Sequence, residues 1–159
     1  MLSELREWVQ EAFAPEGLLA RATDQFTPRA GQTDMALAVA DVVTHGGSLV
    51  VEAGTGVGKT FGYLVPALLS GERVLLSTAT KALQDQLFAR DLPRLVQALN
   101  LPIRLALLKG RSSYLCTHRL GLARRDTTIS DRRTAHLLAR VESWSLTTRT
   151  GDLAEMPGL

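Results

Sequence analysis

At 159 residues the chain has room for about one ordinary domain, and its 45% apolar content suffices for a core. No apolar run approaches the ~20 residues that span a membrane, and Met1 to Glu11 carries three glutamates, which excludes a signal peptide. One cysteine rules out an internal disulfide framework and fits a reducing compartment. The net charge of +2 hides an asymmetry: residues 1–99 carry 8 Lys/Arg against 11 Asp/Glu, and residues 100–159 carry 10 against 5. A basic C-terminal third fits either a nucleic-acid contact or an Arg-rich solvated face.

In chain order, Leu2, Leu5, Val9 and Phe13 follow helical spacing, with Ser3 as cap and Pro15-Glu16-Gly17 as stop; Leu18 to Ala22 adds a turn. Phe26-Thr27-Pro28-Arg29-Ala30-Gly31-Gln32 then runs into a helix on which Met35, Val39, Val42 and Val43 recur. The Gln32 amide carries both a donor and an acceptor, so it can pair with adenine and reject guanine. A glutamine in a first turn is usually just solvated, but this one stands some twenty residues ahead of a glycine-rich loop. Phe26 could cover a base or serve as core.

Ser48-Leu49-Val50-Val51 is a short β-branched run after Gly46-Gly47 and predicts a buried strand. Glu52-Ala53-Gly54-Thr55-Gly56-Val57-Gly58-Lys59-Thr60 follows, and then a helix from Phe61 to Leu69 with Gly71 as stop. Strand, glycine-rich loop, Gly-Lys-Thr and helix form the phosphate-binding loop in its expected context. Glycines let successive N–H groups converge on a polyphosphate, and the helix start adds its dipole. Lys59 is placed for the β- and γ-phosphates and the Thr60 hydroxyl for Mg²⁺. Ala53 stands where the strict pattern has Gly, as in helicase-type loops. A mere glycine-rich turn with a surface lysine would not bring the strand, Lys-Thr and helix into place together. The dinucleotide fingerprint fails, because Lys59 stands where Gly or Ala is needed.

Pro66 must bend or loosen its helix. Arg73 to Ser77 predicts a second strand and Ala82 to Arg90 a helix capped by Thr80. That helix start, with Thr78, Thr80 and Lys81 nearby, could hold a nucleic-acid phosphate or simply cap a crossover helix. Asp91-Leu92-Pro93 begins a further helix to about Asn100, and Ile103 to Leu108 predicts a third strand. The order β-α-β-α-α-β implies a doubly wound α/β fold with a parallel sheet. Beyond Lys109-Gly110-Arg111-Ser112-Ser113-Tyr114-Leu115-Cys116, helices are expected over Leu115–Arg125 and Ser130–Ser145, the second with Leu137, Leu138, Val141 and Trp144 on one face. The tail from Thr147 reads as a loop cut short. Cys116 has no thiol neighbour at metal spacing and, taken alone, is a small buried hydrophobe.

Taken together, four blocks resemble the DinG/YoaA-type DNA helicases, the bacterial relatives of XPD in superfamily 2, and are nearest the YoaA branch. They are Phe26 to Arg29 with Gln32, Val50 to Thr60, Ser77 to Leu87, and Leu108 to Cys116. The resemblance implies an ATP-driven helicase moving 5′ to 3′ on single-stranded or forked DNA in repair, cytoplasmic and nucleoid-associated, monomeric, with repair or replication proteins as partners. It implies two RecA-like motor domains with a 4Fe–4S domain inserted in the first. By match, Gln32 reads adenine, and Ala53, Gly54, Thr55, Gly56, Val57, Gly58, Lys59 and Thr60 bind ATP, with Lys59 and Thr60 catalytic. Thr78 to Gln84 contacts DNA and Cys116 is the first cluster ligand. Residues 1–110 then form the front half of the first motor domain, and residues 111–159 the start of the iron–sulfur insertion.

Val57 stands where the family often has Thr or Ser, and Ser113 where it often has Asn. The chain has no Asp-Glu-x-His box, and the other three cysteines and the second motor domain are missing, so it reads as an N-terminal piece of a longer helicase. Two rivals stand beside this reading: another P-loop ATPase or kinase, and a nucleotide-binding or interaction module without hydrolysis.

Overall fold

A computed structural model describes residues 4–22, 26–126 and 131–158. It divides into two compact units, Met1–Ala106 and Leu107–Leu159. The first unit is built on helices α1 (Leu5–Ala12), α2 (Leu18–Ala22), α3 (Ala30–His45) and α4 (Lys59–Leu69). Leu5, Val9 and Ala12 form the buried stripe of α1, which packs on both α3 and α4. The lead-in helix is therefore part of the core, and an Arg6–Asp41 ion pair fastens its outer edge to α3. The expected Ser3 cap and Leu2 lie outside the described residues.

The stripe that α3 buries is Gln32, Ala36 and Ala40, not the larger Met35 and Val39 that marked its period. Small residues there let α3 approach α4 closely, and Gly62 completes the fit from the other side. A Cβ on Gly62 would stand 3.1 Å from Met35 Sδ. Pro66 lies inside α4, fully buried, without ending it. Its missing N–H leaves the Gly62 carbonyl without the usual i→i+4 donor, which the helix tolerates here.

Two helices expected over Ala82–Arg90 and Asp91–Asn100 are one helical run. It consists of α5 (Lys81–Gln86), a π-helical turn over Leu87–Asp91, and α6 (Leu92–Ala98). Pro93 supplies the reason. In a straight α-helix its ring would strike the Ala89 carbonyl, and the wider turn relieves that clash. Leu87, Leu92 and Leu95 face the core, and α6 packs on α2 and α4.

The parallel sheet does not appear: no strand forms among the described residues. The segments Ser48–Val51, Arg73–Ser77 and Ile103–Leu108 were its expected members. Ile103 and Leu105 pack against the core while Arg104 and Ala106 face out, a period-two alternation. A strand, however, needs a neighbour in register about 4.8 Å away, and none of the three segments has another beside it in a ladder. Val50 is consequently 96% exposed and Leu75 92%.

The second unit holds a 3₁₀ turn at Arg111–Ser113, helices α7 (Thr117–Arg125) and α8 (Arg132–Ser145), and a 3₁₀ turn at Leu153–Glu155. Asp131 caps α8: its carboxylate accepts from the Thr134 hydroxyl and from the N–H groups of Thr134 and Arg133, which together hold its pKa below the usual carboxylate value. The Ser130 start lies outside the described residues. Arg124 of α7 pairs with Glu142 of α8 at 2.8 Å. The expected loose tail is instead ordered: Asp152 and Met156 are buried, and Asp152 bridges to Tyr114.

If α1 belongs to the core, Leu5→Ala in the full-length protein should destabilise it by ~2–5 kcal/mol, because a fully buried leucine leaves a cavity. Thermal unfolding measures this, and an unchanged midpoint would show α1 to be an appendage.

Candidate functional site

The glycine-rich loop enters α4 through Gly58, which sits in the left-handed region at φ 86°. Gly56 also has positive φ, at 79°. A side chain at Gly58 would be strained, and its Cβ would lie 2.1 Å from Gln32 Nε2. The loop and α3 are thus fitted to each other atom against atom.

Two donors from the start of α3 hold the loop. Gln32 Nε2 donates to the Gly58 carbonyl at 2.8 Å, and Arg29 Nη1 donates to the Gly56 carbonyl. A trans peptide carries its N–H opposite its C=O. Fastening those two carbonyls towards α3 therefore turns the N–H groups of Val57 and Lys59 to the other side, where a polyphosphate would lie. Gln32 is 5% exposed, so it is a fixed part of the site and not a solvated first-turn residue.

Lys59 Nζ donates to the carbonyls of Ala53 and Gly54, both at 2.6 Å. Its ammonium therefore lies across the opening of the loop, satisfied by oxygens that phosphate oxygens could replace. Thr60 bonds through its hydroxyl to the Tyr63 phenol. Burial raises the Tyr63 pKa, the Thr60 bond partly offsets this, and the Asp91 charge raises it further. Thr55 and Val57 complete the loop, Val57 lining the cleft described next.

That cleft, of about 420 Å³, runs beside the loop. Phe26, Arg29 and Gln32 from the start of α3, Gly58 and Thr60 from the loop and α4, and Gln86, Arg90, Asp91 and Arg94 from the α5–α6 run line it. Phe26 lines the cleft and packs on Phe13 at 6.1 Å between ring centroids, the core role the sequence allowed it. Sequence reasoning missed Arg29 as a loop holder, although it stands one turn before Gln32. It also missed the residues of the π turn, because Asp91 read as a helix start.

None of the remaining predicted residues is among those lining this cleft. Thr80 caps α5, its Oγ1 accepting from the Leu83 N–H at 3.2 Å, and Thr78 Oγ1 donates to the Thr80 carbonyl at 3.3 Å. Thr80 and Lys81 are exposed, Thr78 and Gln84 half-buried, and no residue of α5 is buried. In the second unit Cys116 is exposed rather than buried, at the start of α7. The block before it is held by a buried ion pair, Lys109 Nζ to Asp152 Oδ2 at 2.8 Å, and by the Lys109 N–H donating to the Tyr114 hydroxyl at 2.8 Å. The Leu115 N–H donates to the Gly151 carbonyl at 2.8 Å. Among the described residues no three His, Cys, Asp or Glu side chains gather as a metal would need.

The family model for the DEAD/DEAH box helicase matches residues 33–139. The chain is 45% identical over 147 residues to the ATP-dependent DNA helicase YoaA of Haemophilus influenzae, covering 92% of this chain and 23% of that protein. It is 49% identical over 145 residues to the ATP-dependent DNA helicase YoaA of Escherichia coli, covering 89% and 22%. It is 41% identical over 155 residues to the ATP-dependent helicase DinG of Mycobacterium tuberculosis, covering 84% and 23%. The chain thus spans less than a quarter of the length of these curated relatives.

Because Gln32 supports the loop from behind, Gln32→Ala in the full-length protein should weaken inorganic triphosphate as well as ATP, each by about fivefold for one lost buried hydrogen bond. If Gln32 also reads the base, the loss for ATP exceeds the loss for triphosphate and the ATP-over-GTP preference narrows. Competition binding with the three ligands measures this; unchanged affinity for all would remove Gln32 from the site.

Proposed function

The chain belongs to the DEAD/DEAH box helicase family, whose motor fold is RecA-like, and on that premise we propose that the whole protein is an ATP-dependent DNA helicase of the DNA-repair type. The observation that carries the nucleotide part is the pair of glycine carbonyls held by Gln32 and Arg29, with Lys59 lying across the loop. That arrangement favours a polyphosphate over a mere turn, because the two held carbonyls leave the N–H groups of Val57 and Lys59 turned away from α3.

In this reading the N–H groups of the loop and the start of α4 cradle the phosphates, and Lys59 leaves the Ala53 and Gly54 carbonyls to meet the transferring group. Thr60 would hold Mg²⁺, which supplies charge neutralisation on the β- and γ-oxygens, and would exchange its Tyr63 bond for that contact. Gln32 reads adenine from the edge of the cleft with its remaining amide atoms. Thr78, Thr80, Lys81 and Gln84 contact a single DNA strand, which suits the exposure of Thr80 and Lys81 at the start of α5. The direction of movement is 5′ to 3′, the substrate single-stranded or forked DNA, and the partners repair or replication proteins. No helix of the described residues is long and apolar enough to cross a membrane. The protein is assigned to the cytoplasm, near the nucleoid, and to a monomeric state.

Residues 1–110 are assigned to the front half of the first motor domain, its parallel sheet included, and residues 111–159 to the start of an iron–sulfur insertion. The residues present here do not fit a 4Fe–4S cluster by themselves: one thiol stands where about four thiolates are needed. Cys116 as a cluster ligand therefore requires three more from elsewhere in the whole protein. Iron and sulfide analysis of the full-length protein should find both, and Cys116→Ser should lose them. A variant that keeps its iron would leave Cys116 a plain thiol.

The test of the nucleotide reading is Lys59→Ala in the full-length protein. DNA-stimulated phosphate release should fall by a factor on the order of a thousand, with the thermal midpoint nearly unchanged. Near-normal turnover in the folded variant would sink the assignment.

A further inference from the structure

One helical run lines the cleft through Gln86, Arg90, Asp91 and Arg94. In an unbroken α-helix, positions 86, 90 and 94 share a face, whereas position 91 stands some 140° round from 86 and could not meet it. The π turn over Leu87–Asp91 changes this spacing to i, i+5. Gln86 Nε2 accordingly donates to Asp91 Oδ2 at 2.8 Å, and Arg90 Nε donates to Asp91 Oδ1 at 2.9 Å. Only 9% of the Asp91 side chain is exposed, against 53% for Arg90.

A buried carboxylate is costly, and an apolar residue would serve the core better. Here both of its oxygens hold side chains that face the cleft. Arg94, one turn on, adds a second guanidinium with no hydrogen-bond or ionic partner among the described residues. The Asp91 charge is also felt by Tyr63, which holds the Thr60 hydroxyl at the start of α4. The carboxylate thus lines the cleft and lies close enough to Tyr63 for its charge to act there.

We propose that Asp91 is a positioning residue for the nucleoside end of the bound nucleotide: it clamps Gln86 and Arg90 into a polar wall that meets the ribose and the face of the base. With the triphosphate on the loop and Phe26 and Gln32 on one side, the opposite face of the nucleoside falls against this wall. Guanidinium planes suit it, since they stack on a π-face and donate to ribose oxygens. The same helical run begins at the Thr80 cap, so the element that reads the nucleoside is continuous with the one assigned to DNA. The proposal rests on the nucleotide reading of the cleft.

The test uses the full-length protein with Asp91→Asn, Arg90→Ala and the double variant. DNA-stimulated ATPase gives KM and kcat, and inorganic tripolyphosphate serves as a competitive inhibitor without a nucleoside. Asp91→Asn should raise KM for ATP about tenfold, the loss of one charge-assisted contact, and leave kcat within about twofold. Inhibition by tripolyphosphate should not change, and the double variant should be no worse than the worse single one. A lowered melting point with an unchanged KM would make Asp91 a structural residue and overturn the proposal. So would equal losses for ATP and tripolyphosphate. Should Asp91→Asn fail to fold, the half-exposed Arg90→Ala decides alone, and an unchanged KM there overturns it. Failure of the nucleotide reading itself shows separately, as tripolyphosphate and ATP that both fail to bind the unaltered protein.

Discussion

The structure of the first unit turns on one hydrogen bond, from the Gln32 amide to the Gly58 carbonyl. Gly58 must be glycine for two reasons: its φ lies in the left-handed region, and a Cβ would occupy the place of the Gln32 amide. Gln32 in turn must be buried, because α3 reaches the loop only by packing its Gln32–Ala36–Ala40 stripe inward. The residue proposed to read adenine is therefore also the strut that holds the glycine-rich loop. On that proposal, nucleoside and phosphate recognition would share a side chain and be coupled without any moving part.

The frame behind that bond is helical, and its tolerances are small. A methyl group on Gly62 would press on Met35 Sδ at 3.1 Å, and the same residue's carbonyl faces the gap made by Pro66. Close approach and a proline in one helix would ordinarily weaken it. Here Leu64, Val65 and Leu68 of α4 are buried against α1, α3 and α6, so tertiary packing holds what propensity would not. Lys59 and Thr60 project from the end of α4 that this packing fixes.

Much of the site was legible in sequence because its signals are local. Gly-Lys-Thr after a β-branched run announces a loop, and Thr80 before Lys81 announces a cap that the structure shows in place. Helix existence was equally plain, although the buried face of α3 was misjudged: Ala36 and Ala40 give a weaker apolar signal than Met35 and Val39, yet close contact selects the small residues. The strands were legible as residue types but not as pairs, since pairing depends on a neighbour that no local pattern supplies. The π turn was illegible for a different reason. Pro93 and Asp91 read as punctuation between two helices, whereas the chain absorbed the proline by widening one turn. That single change brought Asp91 against Gln86 and added a wall to the cleft.

The second unit applies similar physics with a different partner. Lys109 and Asp152 are 43 residues apart in sequence and form an ion pair in which both side chains are about nine-tenths buried. Burying two charges is repaid only where further hydrogen bonds satisfy them, and Asp152 also receives the Ala154 N–H on its carboxylate. The result is to tie the segment from Lys109 to Leu115 against the turn at Gly151. Cys116 follows directly after that tie and stands exposed at the head of α7. A cysteine proposed to share a cluster with thiols from elsewhere in the whole protein would need a fixed backbone and an open sulfur; the Lys109–Asp152 pair holds the backbone before it, and the sulfur is exposed.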